Sequence, residues 1–217
     1  MIVLYRLCPQ GNPLKSRPNG MDKRKVVETA YKSFLDVFNC ETKFIIDKPE
    51  NWIVNMVKDR GEITKINTSD WESGNKTSFM LQLKMASELK EPVLLLEDDY
   101  LWLDKNAQEI LDTAILELGI VSPYDHPNHY FEKGYDVARR VVVSGDRHWQ
   151  SIISTTLTFG ILPKLVNDYW DEFTGNGTVD DLMWKSIDHR LWSPMPALAT
   201  HMETNYLSPT FKWSQVL

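Results

Sequence analysis

A run of four aliphatic residues, Val93–Leu96, leads directly into three carboxylates, Glu97, Asp98 and Asp99. An uninterrupted aliphatic run of this length after a proline is typical of a central parallel strand that helices cover on both faces. Upstream of it, short β-rich runs alternate with stretches in which apolar residues recur every three or four positions. This order predicts an α/β fold of the Rossmann-like type, a single domain with a mostly parallel central sheet flanked by helices.

The first half of the chain is expected to hold four strands and three helices. Strands are predicted at 2–7, 43–46, 63–66 and 93–96, and helices at 51–58, 78–90 and over the apolar stripe 26–38 that follows a cap at Asp22. Residues 69–76 are expected to form a polar loop. In the second half we expect helices at 107–118, 163–172 and 180–187 and a strand at 141–144, and prolines 194 and 196 are expected to lead the chain into a tail.

Composition excludes several classes of protein. The 217 residues are 42% hydrophobic and 25% charged, ordinary globular values that exclude a disordered chain, a coiled coil and a collagen-like repeat. A net charge of -6 argues against nucleic acid as a partner. Apolar runs stay far below the roughly 20 residues of a membrane helix, and no secretory signal is visible, so we expect a cytoplasmic protein without an integral membrane segment. The two cysteines are expected to be reduced.

The acidic triplet 97–99 is the strongest chemical signal in the sequence. Ligands of open α/β sheets bind beyond the carboxyl ends of the strands, where this triplet falls. Three adjacent carboxylates at the end of a buried strand need a cation or several hydrogen-bond donors to compensate their charge. Oxygen ligands suit Mn²⁺ or Mg²⁺, so Asp99 is the expected metal ligand. The alternative is a solvated acidic loop or a cap of the following helix.

Two later segments extend this pattern in order. Residues 159–163 read FGILP and are followed by Leu165 and Trp170, and residues 180–184 read DDLMW. With the E-D-D triplet, a variant of the D-x-D metal motif, the chain resembles the nucleotide-sugar glycosyltransferases of the GT-A fold, in particular the inverting N-acetylglucosaminyltransferase I type, over about residues 1–190.

The resemblance implies an enzymatic activity and a functional division of the chain into two halves. It implies a metal-dependent enzyme with Mn²⁺ or Mg²⁺ as cofactor, which transfers a sugar from a nucleotide-diphosphate sugar, a UDP-sugar, to a glycan or other hydroxyl acceptor. It also implies one GT-A domain over 1–217, in which residues 1–104 bind the nucleotide sugar and residues 105–217 bind the acceptor and carry the catalytic groups.

The resemblance also implies donor-site residues. Asp99 would hold the metal, with Glu97 and Asp98 near the sugar or ribose. At the ends of the first two strands, Arg6 would lie near the nucleotide and Asp47 at the base or ribose, although a surface position for Arg6 stays open. The family's donor-pocket histidine is missing, because the corresponding stretch 75–79 reads NKTSF; we take Ser78 from it as a donor-site candidate.

Catalytic and acceptor residues are expected in the second half. Asp181, with Asp180 as second choice, would take the proton of the acceptor hydroxyl, or the pair would cap a helix. Acceptor-site candidates are Trp184, Arg147 and His148, which would otherwise belong to the core or to a packed strand edge. His201 would complete the metal shell or serve as a hydrogen-bonded structural histidine.

Other readings stay open. A basic patch lies around the first loop and helix start, where it would either bind a diphosphate or form a solvated face. Its members are Lys15, Arg17, Lys23, Arg24 and Lys25. The alternatives to an inverting transferase are a retaining GT-A glycosyltransferase and a non-catalytic sugar-binding protein that keeps the fold. A nucleotidyltransferase that makes an activated sugar also stays open, and the argument against it is that no glycine-rich, basic phosphate loop follows the first strand.

Overall fold

The computed structural model describes residues 1–12, 15–135, 137–175 and 178–212. The first half contains β1 Ile2–Leu7, α1 Lys23–Val37, β2 Thr42–Asp47, α2 Asn51–Val57, β3 Glu62–Ile66, α3 Trp71–Glu88 and β4 Val93–Leu96. The second half contains β5 Tyr100–Trp102, α4 Ala107–Leu118, β6 Ile120–Val121, α5 Asn128–Phe131, β7 Val141–Ser144, β8 Arg147–Ile152, β9 Phe159–Ile161, α6 Pro163–Asp168, α7 Trp170–Gly175, α8 Asp180–Ser186, β10 Leu191–Met195 and β11 Ala199–His201.

Nine of the strands form one mixed sheet in the order β3-β2-β1-β4-β9-β6-β10-β8-β7. The strands of the first half, β1 to β4, pair in parallel. Strand β9 is antiparallel to both β4 and β6, and β8 is antiparallel to β10 and β7. A separate two-stranded ribbon pairs β5 with β11. The predicted α/β class, with helices on a central sheet, is confirmed.

The central strand β4 is buried on both faces, as its aliphatic sequence predicts. Leu94 and Leu96 pack into a cluster with α1 and α4, whereas Val93 and Leu95 pack into a second cluster with α3. Because side chains alternate along a strand, helices on both faces leave no polar position within it. The acidic triplet therefore begins at the first residue beyond the covered part of the sheet.

Helix α1 begins where the sequence predicts. The Asp22 carboxylate accepts a hydrogen bond from the Lys25 N–H at 2.7 Å, which satisfies one of the free amides of the first turn. The apolar stripe of the helix packs on β1 through Val27, Tyr31 and Phe34. The amino end of α1, with Lys23, consequently lies at the carboxyl edge of the sheet.

Two predicted boundaries are wrong. Helix α3 already begins at Trp71, inside the predicted loop, because Asp70 accepts the Ser73 N–H at 2.8 Å and caps it. Pro194 lies within β10 and Pro196 lies between β10 and β11, so these prolines do not lead the chain into a tail. Strand β6 pairs with β10 only as far as Trp192, so Pro194 lies beyond that pairing, where a missing N–H is tolerated.

The predicted helix 163–172 is divided into α6 and α7 at Tyr169. None of the helices in the described part of the chain combines the length and the apolar character that crossing a membrane requires.

Candidate functional site

A cavity of about 400 Å³ opens at the carboxyl ends of β1, β2 and β4. The first half of the chain lines it with these strand ends, with residues from 8–12 and 15–17 of the loop between β1 and α1, and with the start of α3. The second half contributes residues from the segments 126–135, 154–157, 178–180 and 201–206. The acidic triplet lies where these two sets of segments meet.

Each carboxylate of the triplet is paired with a basic side chain from the first 23 residues. The pairs are Glu97 with Arg6 at 2.7 Å, Asp98 with Lys23 at 2.5 Å, and Asp99 with Lys15 at 3.2 Å. The Cys8 N–H donates a further hydrogen bond to Asp98 at 2.8 Å. The compensation that three adjacent carboxylates require is thus supplied by the protein's own cations.

Arg6 is a cavity residue and not a surface arginine. It is 6% exposed, and besides its ion pair with Glu97 it donates hydrogen bonds to the side-chain and main-chain oxygens of Asn75, at 2.7 and 3.1 Å. Asn75 belongs to the first turns of α3. The guanidinium therefore ties the end of β1 to both the triplet and α3.

The ribbon of β5 and β11 brings His201 to Asp99, the two residues predicted as metal ligands. His201 lies opposite Tyr100 in the ribbon, and the Met202 N–H donates to the Asp99 carbonyl at 2.7 Å. The Nε2 atom of His201 is 3.2 Å from Asp99 Oδ2. Burial alone would raise the pKa of Asp99, but the neighbouring Lys15 and His201 hold it well below its usual value.

Carboxylate and imidazole side chains suit a divalent cation, but here the ammonium of Lys15 lies among them. Asp99 Oδ1 is buried and has no hydrogen-bond partner among the described residues. The Lys15 Nζ lies 3.2 Å from Asp99 Oδ2, 3.3 Å from His201 Nε2 and 3.6 Å from Glu203 Oε2. Within the described residues no three His, Cys, Asp or Glu side chains are arranged as a metal site. The metal ion itself stays a prediction.

Asp47 and Ser78 form the other end of the cavity wall. Asp47 accepts hydrogen bonds from the Thr68 N–H at 3.0 Å and the Thr68 hydroxyl at 2.7 Å, and the Ser78 hydroxyl donates to Asn75 at 3.2 Å. Gly74 lets α3 approach, since a Cβ there would lie 2.2 Å from Asp47 Oδ2. Both predicted residues line the cavity with polar atoms.

The two carboxylates at the start of α8 point in different directions. Asp180 lines the cavity, and burial together with the charge of Glu97 raises its pKa to about 6. Asp181, the first choice from the sequence, accepts hydrogen bonds from Lys185 at 2.7 Å and Tyr135 at 2.9 Å and does not line the cavity. Those contacts, Lys185 foremost, lower its pKa. Asp180 is therefore the cavity residue of the pair.

The three predicted acceptor residues do not meet in the cavity. Trp184 is a core residue, 4% exposed, whose ring packs edge-on against Phe159 at 4.8 Å between centroids. Arg147 on β8 pairs with Asp104 and donates to the Pro196 carbonyl at 3.1 Å, and the neighbouring His148 is exposed. Strand β8 lies one strand from the far edge of the sheet, which places both away from the cavity.

From the sequence, the function of the basic patch was left open and two cavity histidines were missed. Of that patch, Arg24 and Lys25 are exposed on α1 and do not line the cavity. Lys15, Arg17 and Lys23 line the cavity, and their position directly after the first strand was the signal that pointed to them. His126 and His129 line the opposite wall, and burial lowers their pKa values to about 3 and about 4, so both are neutral at pH 7. Only a cluster of His, Pro and Tyr in the sequence marks this wall.

Comparisons with known proteins place the fold. No protein-family model and no curated protein matches the chain. Among solved structures, it is similar to the inositol-1-phosphate CTP transferase from T. maritima, with a TM-score of 0.54 and 16% identity over 99% of this chain and 92% of that one. It is also similar to 4-diphosphocytidyl-2C-methyl-D-erythritol synthase from Anaerococcus prevotii, with a TM-score of 0.53 and 16% identity over the same shares. The chain has this GT-A-like α/β fold.

The predicted glycosyltransferase activity is wrong, and so is the resemblance to the N-acetylglucosaminyltransferase I type, because these similar structures are nucleotidyltransferases. The predictions of a UDP-sugar donor, a glycan acceptor and, as an alternative, a retaining glycosyltransferase are wrong for the same reason. An acidic triplet after a buried strand marks the ligand edge of any sheet of this kind and does not separate the two classes. The argument against a nucleotidyltransferase is also wrong, since the loop after β1 carries Lys15 and Arg17 into the cavity.

Proposed function

We propose that the protein is a nucleotidyltransferase, which transfers the nucleotidyl group of a nucleoside triphosphate to a phosphate-bearing sugar or polyol and releases pyrophosphate. The observation that carries this proposal is the convergence of Lys15, Arg17 and Lys23 with Asp98 and Asp99 in one cavity at the ligand edge of the sheet. The similarity of the whole fold to two cytidylyl-transferring enzymes supports it.

The nucleoside would lie between the ends of β1 and β2 and the start of α3. That part of the wall offers an indole face from Trp71, which is 36% exposed, and polar atoms of Asp47 and Asn75. Aromatic rings stack on bases, and carboxylate or amide oxygens accept hydrogen bonds from base and ribose. The triphosphate would then extend toward the loop between β1 and α1.

The reaction is a displacement at the α-phosphorus. A phosphate oxygen of the acceptor forms the new bond to this phosphorus, and the bond to the bridging oxygen of the β-phosphate breaks, so pyrophosphate leaves with the electron pair. Lys15, Arg17 and Lys23 would stabilise the charge on the leaving group, and the cavity walls would align acceptor and donor. A Mn²⁺ or Mg²⁺ ion, if held by Asp99 with His201 and Glu203, supplies further charge neutralisation there.

The acceptor would occupy the wall from the second half of the chain. Hydroxyl groups of Ser154, Thr155 and Thr156 and the neutral imidazoles of His126 and His129 line this wall. Such groups donate and accept hydrogen bonds without a net charge, which suits the hydroxyls of a sugar or polyol. Its phosphate would reach back to the basic side chains across the cavity.

Product analysis tests the proposal. The protein is incubated with CTP, UTP, ATP or GTP and a panel of sugar and polyol phosphates, and the products are separated by anion exchange and identified by mass spectrometry. We expect one combination of triphosphate and acceptor phosphate to give pyrophosphate and a nucleoside diphosphate that is linked to the sugar or polyol. Lys23→Gln should lower the rate about tenfold or more, whereas Lys25→Gln, at an exposed position of α1, should retain it. No product and no binding of any triphosphate would contradict the proposal.

A further inference from the structure

The ammonium of Lys15 lies among three side chains, those of Asp99, His201 and Glu203, which form the Asp99 group. Asp99, His201 and Glu203 direct an oxygen, a nitrogen and an oxygen at the Lys15 Nζ, at 3.2, 3.3 and 3.6 Å. A lysine side chain ordinarily carries a positive charge at neutral pH, and the carboxylates of Asp99 and Glu203 lie beside this one. One positive charge thus stands at the centre of two carboxylates and an imidazole.

The backbone beside Lys15 is held to the segment that supplies the other groups. The Thr204 N–H donates to the Ser16 carbonyl at 2.9 Å, and the two hydroxyls of these residues are 3.2 Å apart. Glu203 precedes Thr204, and His201 lies two residues earlier. This pairing keeps the Lys15 side chain, which is 26% exposed, within reach of the group.

The ammonium leaves part of the group unsatisfied. Asp99 Oδ1 and His201 Nδ1 are buried atoms without a hydrogen-bond partner among the described residues. Asp99 is 8% exposed and His201 is 5% exposed. Unpaired buried polar atoms are costly, and a divalent cation takes more oxygen and nitrogen ligands than the three donors of an ammonium can engage.

We propose that Lys15 is the resident cation of this group and that a divalent metal ion binds there only by displacing it. Two cations held by the same carboxylate repel each other at such short distances, so a metal ion on Asp99 would compete with the ammonium. The proposal concerns the metal alone, so its outcome does not depend on the nucleotide or on the proposed reaction.

Binding of Mn²⁺ in the absence of nucleotide tests the proposal. Free Mn²⁺ is measured by electron paramagnetic resonance during titration of the wild type, Lys15→Met and, as a matched control, Lys25→Met. We expect Lys15→Met to bind Mn²⁺ about tenfold or more tightly than the wild type, since it removes the competing charge. Lys25→Met should bind like the wild type, because Lys25 is exposed on α1.

A double variant and a second substitution make the result specific. Adding Asp99→Asn to Lys15→Met should abolish the gain in affinity. Lys15→Gln keeps a hydrogen-bond donor without the charge, and it replaces Lys15→Met if thermal melting shows that the methionine variant does not fold. Affinity equal to that of the wild type in the folded Lys15 variant, or a gain that persists without the Asp99 carboxylate, would overturn the proposal.

Discussion

Gly74 lies where α3 approaches the end of β2. A Cβ at this position would be 2.2 Å from Asp47 Oδ2 and 3.0 Å from the Thr68 hydroxyl oxygen. The Thr68 hydroxyl donates a hydrogen bond to this Asp47 oxygen. Alanine is normally favoured over glycine inside a helix, by about 1 kcal/mol. At Gly74 the clash reverses that preference, because the carboxylate it meets belongs to a buried residue.

We therefore expect Gly74→Ala to lower the free energy of unfolding by about 1–3 kcal/mol and to weaken nucleotide binding. Urea denaturation measures the first effect and calorimetric titration the second. Gly175→Ala serves as the control, because a Cβ there meets no atom of the described residues within 4 Å. A Gly74→Ala protein as stable as the control would contradict the close packing of α3 on Asp47.

Asp180 gives the cavity a pH-dependent stability. Burial and Glu97 raise its pKa from 3.8 to about 6, so between these values the folded protein holds a proton that the unfolded chain releases. The contribution of this group to stability therefore falls as pH rises through this window. Asp180→Asn removes the carboxylate charge, so the variant should not lose this stability as the pH rises.

The expected difference depends on pH. Asp180→Asn should be about 1–2 kcal/mol more stable than the wild type at pH 8, after allowance for solvent at a partly exposed side chain. At pH 4 the two proteins should be equally stable. Urea denaturation at several pH values between 4 and 8 measures this, and a difference that does not change with pH would contradict the raised pKa.

Single residues were predictable where position alone decides their surroundings. Arg6 and Asp47 lie at the ends of parallel strands and the triplet follows one, so the fold puts them at the ligand edge of the sheet. Asp181 was not predictable, because the choice between it and Asp180 depends on which carboxylate Lys185 and Tyr135 engage. The surroundings of Trp184 depend on where α8 packs, and those of Arg147 depend on the position of β8 in the sheet; no local pattern shows either.

At the scale of elements, the amino end of α1 carries Lys23 into the cavity. Its cap is the hydrogen bond from the Lys25 N–H to the Asp22 carboxylate. Asp22→Ala should lower the free energy of unfolding by about 1 kcal/mol. Asp22→Asn keeps an accepting oxygen, so its free energy of unfolding should differ from that of the wild type by only about a few tenths of a kcal/mol. Chemical denaturation of the three proteins measures this; equal loss in both variants would contradict the cap.

The elements that the sequence predicts are those with a strong local pattern. Strand β4 has an aliphatic run, and α1 has both an apolar stripe and a cap. The short strands β5 and β11 have three residues each and form only because they pair across about a hundred residues. That pairing is what brings His201 to Asp99, so the neighbourhood of the triplet could be predicted only in part.

At the scale of the whole molecule, the cavity joins the two halves of the chain. The first half supplies the parallel strands and the basic loop after β1, and the second half supplies the wall with His126 and His129. The predicted division at residue 104 into a nucleotide-binding half and an acceptor-binding half stays a prediction. The class of reaction was predicted wrongly, because both classes of enzyme place carboxylates at this edge, and the basic residues after the first strand were not taken as evidence for a nucleotidyltransferase.

The most direct measurement compares a nucleoside triphosphate with its monophosphate. Isothermal titration calorimetry is carried out with CTP and CMP first, and then with the UTP, ATP and GTP pairs, on the wild type and on Lys23→Gln. If Lys15, Arg17 and Lys23 bind the outer phosphates, one triphosphate should bind about tenfold or more tightly than its monophosphate, and Lys23→Gln should reduce that ratio. Equal affinity for the two forms of every nucleotide would contradict a triphosphate site in this cavity.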